Sequence, residues 1–351
     1  MKKPNSAKNK IAKGILNFFL WFLGTVALIA VGLFVLLYYI HKGPSPRFRD
    51  LFVSSAKESS VGGVLVDLYL TEDEVEKIMA KNSTKGFDEI TDTNLIQIAS
   101  AKDTAGDTSA NTNASNPEDP DGDGITIYDV HGPTYRGKMM VVFDPSRVKV
   151  GTIDQYGISS PGKTLPDLVA KYDAVGGING GKYDDEAGIG TGGMPQGIVF
   201  SEGVLRMGDP GSTYEVYGFN NENVLVVGRM TAGYAQSIGI RDAVSFGPAL
   251  IVNGKSAHMA GSGSGLNPRT AIGQRADGAV LMLVIEGRST TSLGASMADL
   301  VTVMEDFGAV NAANLDGGMS SSMVYNDEEV VSSCTMRNRK IPTAFIVERR
   351  D

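Results

Sequence analysis

Three glycine-rich loops carry the polar side chains of this sequence that could do chemistry. They read GGINGGKYDDEAGIGTGGMPQG (176–197), SGLNPRTAIGQ (264–274) and NLDGGMSSSM (314–323). Glycines at strand ends let backbone amides approach a ligand closely and allow positive φ angles. Arg269 supplies a planar, permanently charged fork that suits phosphate or carboxylate. Asp316 can serve as an acid, a base or a metal ligand.

Each loop taken alone has a simpler explanation. A fourth candidate, IEGRS (285–289), is shorter still. Glycine loops are often only turns, and an isolated Arg or Asp is commonly a surface charge or a structural ion pair. The serines at 320–322 could cap a helix or form a turn. No GxSxG elbow occurs and no histidine lies near these serines, which argues against a serine hydrolase.

An acidic stretch precedes these loops. Residues 101–124 contain six acids, one lysine and nothing apolar larger than alanine, which predicts a disordered acidic linker. Its end, DPDGDG, places Asp119, Asp121 and Asp123 at positions one, three and five of a calcium loop, with Val130 instead of Glu at the twelfth position. Calcium binding is therefore the alternative to a solvated linker.

The composition limits the partners of the chain. Its 351 residues carry a formal net charge of -8, three histidines and one cysteine, Cys334. The negative balance argues against a nucleic-acid partner held by phosphate contacts. A single cysteine excludes an internal disulfide, and so few Cys and His residues argue against a zinc cluster.

The N-terminus has the pattern of a membrane anchor. Residues 15–40 form an uncharged apolar run that exceeds the ~20 residues needed to cross a bilayer. Lysines before the run outnumber the basic residues just after it, which favours an inside N-terminus. We predict a cytoplasmic basic tail (1–14), a single plasma-membrane span (15–40) and an extracellular remainder, with a long cleaved signal peptide as the alternative. An outside domain without disulfides is typical of a bacterial surface protein.

The elements that must position the loops are short strands and a few helices. Residues 41–100 are predicted to form a juxtamembrane helical segment without chemistry, with a capping box at Thr71 and Glu74. From residue 125 onward, short apolar stretches such as GITIYDV, GKMMVVFD and AVGGING predict strands. TLPDLVAKYD predicts a helix, and a second helix has one apolar face made of Met297, Leu300, Val301, Met304 and Phe307. We predict one α+β domain over 125–351, with a mixed β-sheet core and flanking helices.

The order of the motifs resembles the phosphodiester glycosidase family, which includes lysosomal uncovering enzymes and bacterial domains associated with exopolysaccharide biosynthesis. The matching stretches are NGG, SFGPALIVNGK, NPRTAIGQRADG, IEGRS followed by a helix, and NLDGGMSSSM, between about 125 and 350. The resemblance implies a hydrolase that releases sugar from an N-acetylhexosamine-1-phosphodiester, with activity like that of an alpha-N-acetylglucosaminidase. Its expected substrate is a carbohydrate or phosphoglycan of the cell envelope or exopolysaccharide.

Carried over residue by residue, the resemblance implies that Asp316, Arg269 and Glu286 are catalytic. The substrate-binding residues that it implies are Asn179, Gly180, Thr270, Arg288, Gly317, Gly318, Ser320 and Ser321. The chain departs from the family pattern after NGG, where Lys182 and Tyr183 replace two aromatics, and in IEGRS, where Glu286 replaces an aspartate. Met319 replaces a glycine, so that position does not need a glycine-only backbone conformation. These departures bear on the choice of substrate more than on the reaction.

The implied reaction is hydrolysis of the C1–O bond through an oxocarbenium-like state. Phosphate is already a weakly basic leaving group, so Arg269 and Arg288 would stabilise its charge. Asp316 would activate water or hold a divalent cation (calcium or magnesium), with Glu286 as a second carboxylate and Asp184 or Asp185 as a third. Two alternatives stay open: a non-catalytic surface module that binds wall polysaccharide or a teichoic-type polymer, and a phosphodiesterase that cuts the P–O bond.

Overall fold

The first element of the chain is a long apolar helix. The computed structural model describes residues 5–59, 62–98, 118–119, 121–185, 190–332 and 339–350. Helix α1 (Asn5–Lys42) includes the stretch Lys10–Lys42, within which an apolar window of 18 residues has a mean hydropathy of 2.6 and no buried residues. Its length and composition are sufficient to cross a membrane, as a membrane anchor or a signal sequence would.

Three short helices form a lobe at the end of α1. These are α2 (Pro46–Lys57), α3 (Gly63–Asp67) and α4 (Glu72–Lys81). The hydroxyl of Ser45 accepts a hydrogen bond from the N–H of Phe48 and caps α2, and the predicted capping box of α4 is present. The lobe has its own small apolar core, made of Val53, Val66, Leu70, Val75 and Ile78.

The lobe is attached both to α1 and to the rest of the chain. The ring of His41, near the end of α1, stacks on Tyr69 with ring centroids 4.9 Å apart. On the other side, strand β1 (Thr84–Lys85) pairs with β13 (His258–Met259). The N–H of Ala260 donates to the carbonyl of Ser83 at 2.9 Å. The segment after α1 therefore packs directly against the part of the chain that carries the glycine loops.

Three larger sheets make up that part of the chain. Their strands are β2 (Ile125–His131), β3 (Arg136–Val142), β4 (Val148–Thr152), β5 (Ala174–Asn179), β6 (Val199–Ser201), β7 (Val204–Met207), β8 (Thr213–Asn220), β9 (Leu225–Thr231), β10 (Ile240–Val244), β11 (Ala249–Val252), β12 (Lys255–Ser256), β14 (Arg269–Arg275), β15 (Val280–Ile285), β16 (Ala309–Leu315), β17 (Met323–Tyr325), β18 (Glu328–Val331) and β19 (Thr343–Glu348). The strand orders are β12-β11-β16-β14-β15-β3-β2, β18-β17-β5-β19-β4 and β7-β6-β10-β8-β9.

One apolar core joins the three sheets. Met140 and Ile272 of the seven-stranded sheet pack in the same cluster as Phe345 and Phe219 of the two five-stranded sheets. Helix α7 (Met297–Asp306) covers the other face of the seven-stranded sheet, where Leu300 is buried. Helices α5 (Leu165–Lys171) and α6 (Ala232–Ser237) cover the two smaller sheets.

The α+β class with flanking helices is confirmed. The structure also has the predicted helices α2, α4, α5 and α7, and the apolar face of α7 is buried as expected. In the described residues every strand pair of the three large sheets is antiparallel, so these sheets are antiparallel rather than mixed. Most of the predicted linker and Cys334 lie outside the described residues. The proposed domain boundaries stay predictions.

Candidate active site

The three glycine loops meet at the ends of strands β5, β14 and β16. The antiparallel ladder pairs Thr270, the second residue of β14, with Leu315, the last residue of β16. Arg269 and Asp316 therefore extend from the same end of two neighbouring strands. Strand β5 belongs to another sheet, and the N–H of Asp316 donates to the carbonyl of Gly180, just after β5, at 3.2 Å. Sheet pairing thus joins loops that are far apart in sequence.

A cavity of about 160 Å³ lies where these loops meet. Six of the predicted site residues line it, and they are Arg269, Arg288, Asp316, Gly317, Gly318 and Ser320. The other described lining residues are Glu58, Tyr183, Asp185, Phe246, Asn267, Met319 and Arg339. The lining contains three carboxylates and three arginines, a composition that suits a polar ligand.

Asp316 is a half-buried carboxyl group with an unusual pKa. Burial raises its pKa from the ordinary 3.8 to about 7, against the opposing effects of a hydrogen bond from Ser320, one from the backbone N–H of Gly317 and the positive charge of Lys182. A carboxyl with a pKa near neutral can gain and lose a proton at physiological pH, as a general acid or base must.

Asn179 and Thr270 lie behind this carboxyl, and both are fully buried. The amide nitrogen of Asn179 donates to the backbone carbonyl of Asp316 at 2.6 Å, while its amide oxygen accepts from the Thr270 hydroxyl at 2.7 Å and from the N–H of Ser322 at 3.2 Å. Gly180 packs on Thr343, to whose carbonyl its N–H donates at 3.0 Å. Protein atoms take up polar groups of these residues in the described structure, and their role in substrate binding stays a prediction.

Arg269 is buried and held by many acceptors. Its Nε donates to the carbonyl of Ala295 at 3.2 Å. Its Nη2 donates to Ser264 Oγ at 3.0 Å, to the carbonyl of Gly265 at 2.9 Å and to a carboxylate oxygen of Glu58 at 2.6 Å. The guanidinium therefore has a fixed position in the cavity wall, with its charge paired to Glu58 at the end of α2.

Glu286 is not among the described residues that line the cavity. It follows β15, and its N–H donates at 2.8 Å to the carbonyl of Arg136 on β3. The role of Glu286 as the second carboxylate stays a prediction, and the described carboxylates that line the cavity with Asp316 are Glu58 and Asp185. Arg288 does line it, and its Nη2 donates to Asn267 Oδ1 at 3.1 Å.

Ser320 belongs to a polar cluster in the lining of the same cavity. Its hydroxyl lies 3.0 Å from the hydroxyl of Tyr183, which also accepts a hydrogen bond from Nε of Arg339 at 3.0 Å. Burial raises the pKa of Tyr183, so its hydroxyl stays protonated. Arg339 pairs with Asp185. This cluster connects Asp316, through Ser320, to a tyrosine and an arginine.

The loop after Asp316 forms the remaining wall. Gly318 has a φ of +62°, which explains a glycine there, whereas Met319 has no positive φ, as its side chain requires. Met319 lines the cavity, so the departure from the family pattern changes the pocket wall itself. Ser321 is buried outside the described lining, and its Oγ has no hydrogen-bond partner among the described residues.

Reasoning from sequence missed Glu58, Asn267 and Arg339 as site residues. Glu58 is 211 residues away from Arg269 and belongs to a segment in which no motif predicted chemistry. Arg339 follows the last motif and has no glycine loop around it. Asn267 could have been identified from the sequence, because it lies within the NPRT motif beside Arg269.

The acidic residues of the calcium-loop pattern form a separate group. Asp119, Asp121 and Asp123 each offer an oxygen atom, and these atoms lie within 4.8 Å of one another. Their carboxylates also accept backbone N–H groups of the same turn, including that of Gly122 at 3.1 Å. This arrangement occurs in turns as well as in cation sites, so calcium binding here stays a prediction.

Comparison with known proteins gives one family match. The family model NAGPA, described as phosphodiester glycosidase, matches residues 172–348. The SPbeta prophage-derived uncharacterized protein YomE of Bacillus subtilis (strain 168) is 30% identical over 194 residues, which are 51% of this chain and 27% of that protein. The chain thus spans little more than a quarter of the length of this curated relative.

A solved structure shares the fold. It is the catalytic domain of zebrafish N-acetylglucosamine-1-phosphodiester alpha-N-acetylglucosaminidase, auto-inhibited by its pro-peptide. The similarity has a TM-score of 0.53 at 20% sequence identity and covers 64% of this chain and 82% of that one. At this identity the comparison supports the fold alone. The reaction has to be argued from the residues of the cavity.

Proposed function

Because this chain belongs to the phosphodiester glycosidase family, we propose that its cavity hydrolyses the C1–O bond of a sugar-1-phosphodiester. The observation that carries the proposal is the meeting of Asp316, Arg269 and Arg288 in one cavity. A carboxyl with a pKa near neutral in the same cavity as two arginines suits a reaction in which water attacks a sugar whose leaving group is an anion.

The chemistry needs a base more than an acid. Water attacks C1, the C1–O bond breaks, and the bond's electron pair leaves with the phosphate as a phosphomonoester. Asp316, once ionised, accepts the proton of the attacking water. Arg269 and Arg288 stabilise the negative charge that grows on the phosphate. Ser320 and Tyr183 offer hydroxyl groups that can orient the sugar.

The location of the site near α1 supports a substrate close to a membrane. Helix α2 has 12 residues, about 18 Å of helix at ~1.5 Å per residue, and it leads from the end of α1 to Glu58 in the cavity wall. We place α1 in the plasma membrane, with the lysine-rich N-terminus inside and the catalytic domain outside. Envelope or exopolysaccharide glycans that carry an N-acetylhexosamine-1-phosphodiester are then the substrates within reach.

The proposal is tested by sugar release from a synthetic N-acetylhexosamine-1-phosphodiester, using the full chain in detergent. Asp316→Asn should lower kcat/KM by about a hundredfold or more. Asp306→Asn, which changes an exposed aspartate at the end of α7, is the matched control and should retain activity. Full activity in the Asp316→Asn variant would mean that this cavity is not the catalytic site.

The bond that breaks can be identified in heavy-oxygen water. Cleavage of C1–O puts the label on the sugar, whereas cleavage of P–O puts it on the phosphate. Glycan binding without any turnover would instead favour the non-catalytic binding module. The sugar-release assay and the labelling experiment together distinguish C1–O hydrolysis, P–O hydrolysis and binding without turnover.

A further inference from the structure

One carboxylate of the cavity comes from outside the family-matched residues. Glu58 is the C-cap residue of α2, and its carboxylate lines the cavity beside Arg269. Three donors surround it: the N–H of Gly265 at 2.9 Å, the amide nitrogen of Asn267 at 3.1 Å and Nη2 of Arg269 at 2.6 Å. Charge-assisted hydrogen bonds of this kind are among the stronger ones in proteins.

The contact reaches both arginines that the proposed reaction needs. Glu58 binds Arg269 directly, and it binds Asn267, whose Oδ1 accepts from Nη2 of Arg288 at 3.1 Å. We propose that Glu58 is a positioning residue that holds the two arginines in place for the phosphate, so that helix α2 is part of the catalytic unit. This inference rests on the proposed function and adds to it a residue from the juxtamembrane lobe.

The lobe packs closely on the 264–267 loop. A Cβ atom added to Gly265 would lie 2.2 Å from the backbone nitrogen of Ser55, so α2 and the 264–267 loop approach too closely for any larger residue. The N–H of Leu266 donates to Ser55 Oγ at 2.8 Å, and the β1–β13 pair fastens the lobe a second time. The lobe is therefore attached through backbone contacts on either side of Glu58.

A carboxylate among three donors could also occupy the place of the substrate phosphate. The surroundings of Arg269 favour positioning, because its guanidinium is held in addition by Ser264, Gly265 and Ala295. Glu58 completes this set of acceptors and balances the charge of an arginine that is only 8% exposed. A buried guanidinium without a compensating charge would shift or draw in water.

The test compares Glu58→Ala and Glu58→Gln with the parent in the full chain, by kcat and KM for the phosphodiester with and without added formate. Glu76→Ala is the matched control, since Glu76 is exposed on α4 of the same lobe. Displacing catalytic groups by about 1 Å can cost about a hundredfold in rate. We expect kcat of Glu58→Ala to fall at least about tenfold while KM changes less. Formate should restore part of the Glu58→Ala rate by filling the vacated place, and it should not help Glu58→Gln.

Several results would overturn this inference. A Glu58→Ala variant with the parent's kinetics would show that the contact is irrelevant to catalysis. A higher kcat/KM would show that Glu58 competes with substrate. A loss that formate does not relieve would assign Glu58 a merely structural role. A parent chain without turnover would overturn the proposed function as well, whereas an active parent that Asp316→Asn inactivates, with Glu58→Ala unchanged, would overturn this inference alone.

Discussion

The raised pKa of Asp316 predicts how activity and stability respond to pH. The proposed mechanism needs the ionised carboxylate, and a phosphodiester has no group of its own that titrates near neutrality. The kcat/KM of the parent should therefore rise with pH and level off, with a midpoint near the pKa of about 7. A mechanism in which Asp316 acts as the proton donor would give the opposite slope.

The effect on stability has a definite sign and size. The carboxyl has a pKa of about 7 in the folded chain against the ordinary 3.8, so between these pH values the folded state holds a proton that the unfolded state has released. The free energy of unfolding then falls as pH rises, by about 1.4 kcal/mol per pH unit and about 4 kcal/mol in all. Because Asp316 opens onto the cavity, where water can screen it, this total is an upper bound.

The assay is urea unfolding of the full chain and of Asp316→Asn in detergent, at pH 5 and at pH 8. Asparagine does not titrate, so the variant should gain stability over the parent as pH rises, by up to about 3 kcal/mol between these two values. Asp306→Asn again serves as the control. A difference between the Asp316→Asn variant and the parent that is the same at both pH values would refute the raised pKa of Asp316.

Two further predictions concern Asn179 and Glu286, which are not among the described residues that line the cavity. Asn179→Ala should lower the free energy of unfolding by about 3 kcal/mol, because it leaves buried partners of its amide unpaired. A large loss of activity with unchanged stability would instead show that Asn179 contacts substrate. Glu286→Gln should leave kcat/KM within about twofold of the parent. A loss of about a hundredfold in kcat/KM would instead support Glu286 as the second carboxylate.

Local sequence patterns predicted many of the helices and strands. The capping box of α4 and the apolar face of α7 could be read directly, because both depend on residues three or four positions apart. The strands of the sheets also followed from runs of apolar residues. The pairing order β11-β16-β14-β15 did not, because it depends on which distant strands meet and no local spacing encodes that.

The site was predictable where it lies on glycine loops and unpredictable elsewhere. Arg269 and Asp316 follow from their motifs, and the ladder that pairs Thr270 with Leu315 explains why they meet. Asn179 belongs to a motif as well, but its motif could not show that its amide is turned into the protein to brace Asp316. Glu58 lies on an ordinary helix, and only the docking of that helix brings its carboxylate to Arg269.

The charges around Asp316 also predict different pH midpoints for kcat and for kcat/KM. A bound phosphodiester brings a negative charge beside the carboxylate, and a like charge nearby raises a carboxyl pKa further. The midpoint of kcat, which reports the enzyme–substrate complex, should therefore lie at higher pH than that of kcat/KM, which reports the free enzyme. Lys182 acts in the opposite direction, since its charge lowers the pKa of Asp316, so Lys182→Gln should move both midpoints upward. A kcat midpoint at or below that of kcat/KM would mean that the phosphate binds away from Asp316, and the arginines would then need another role.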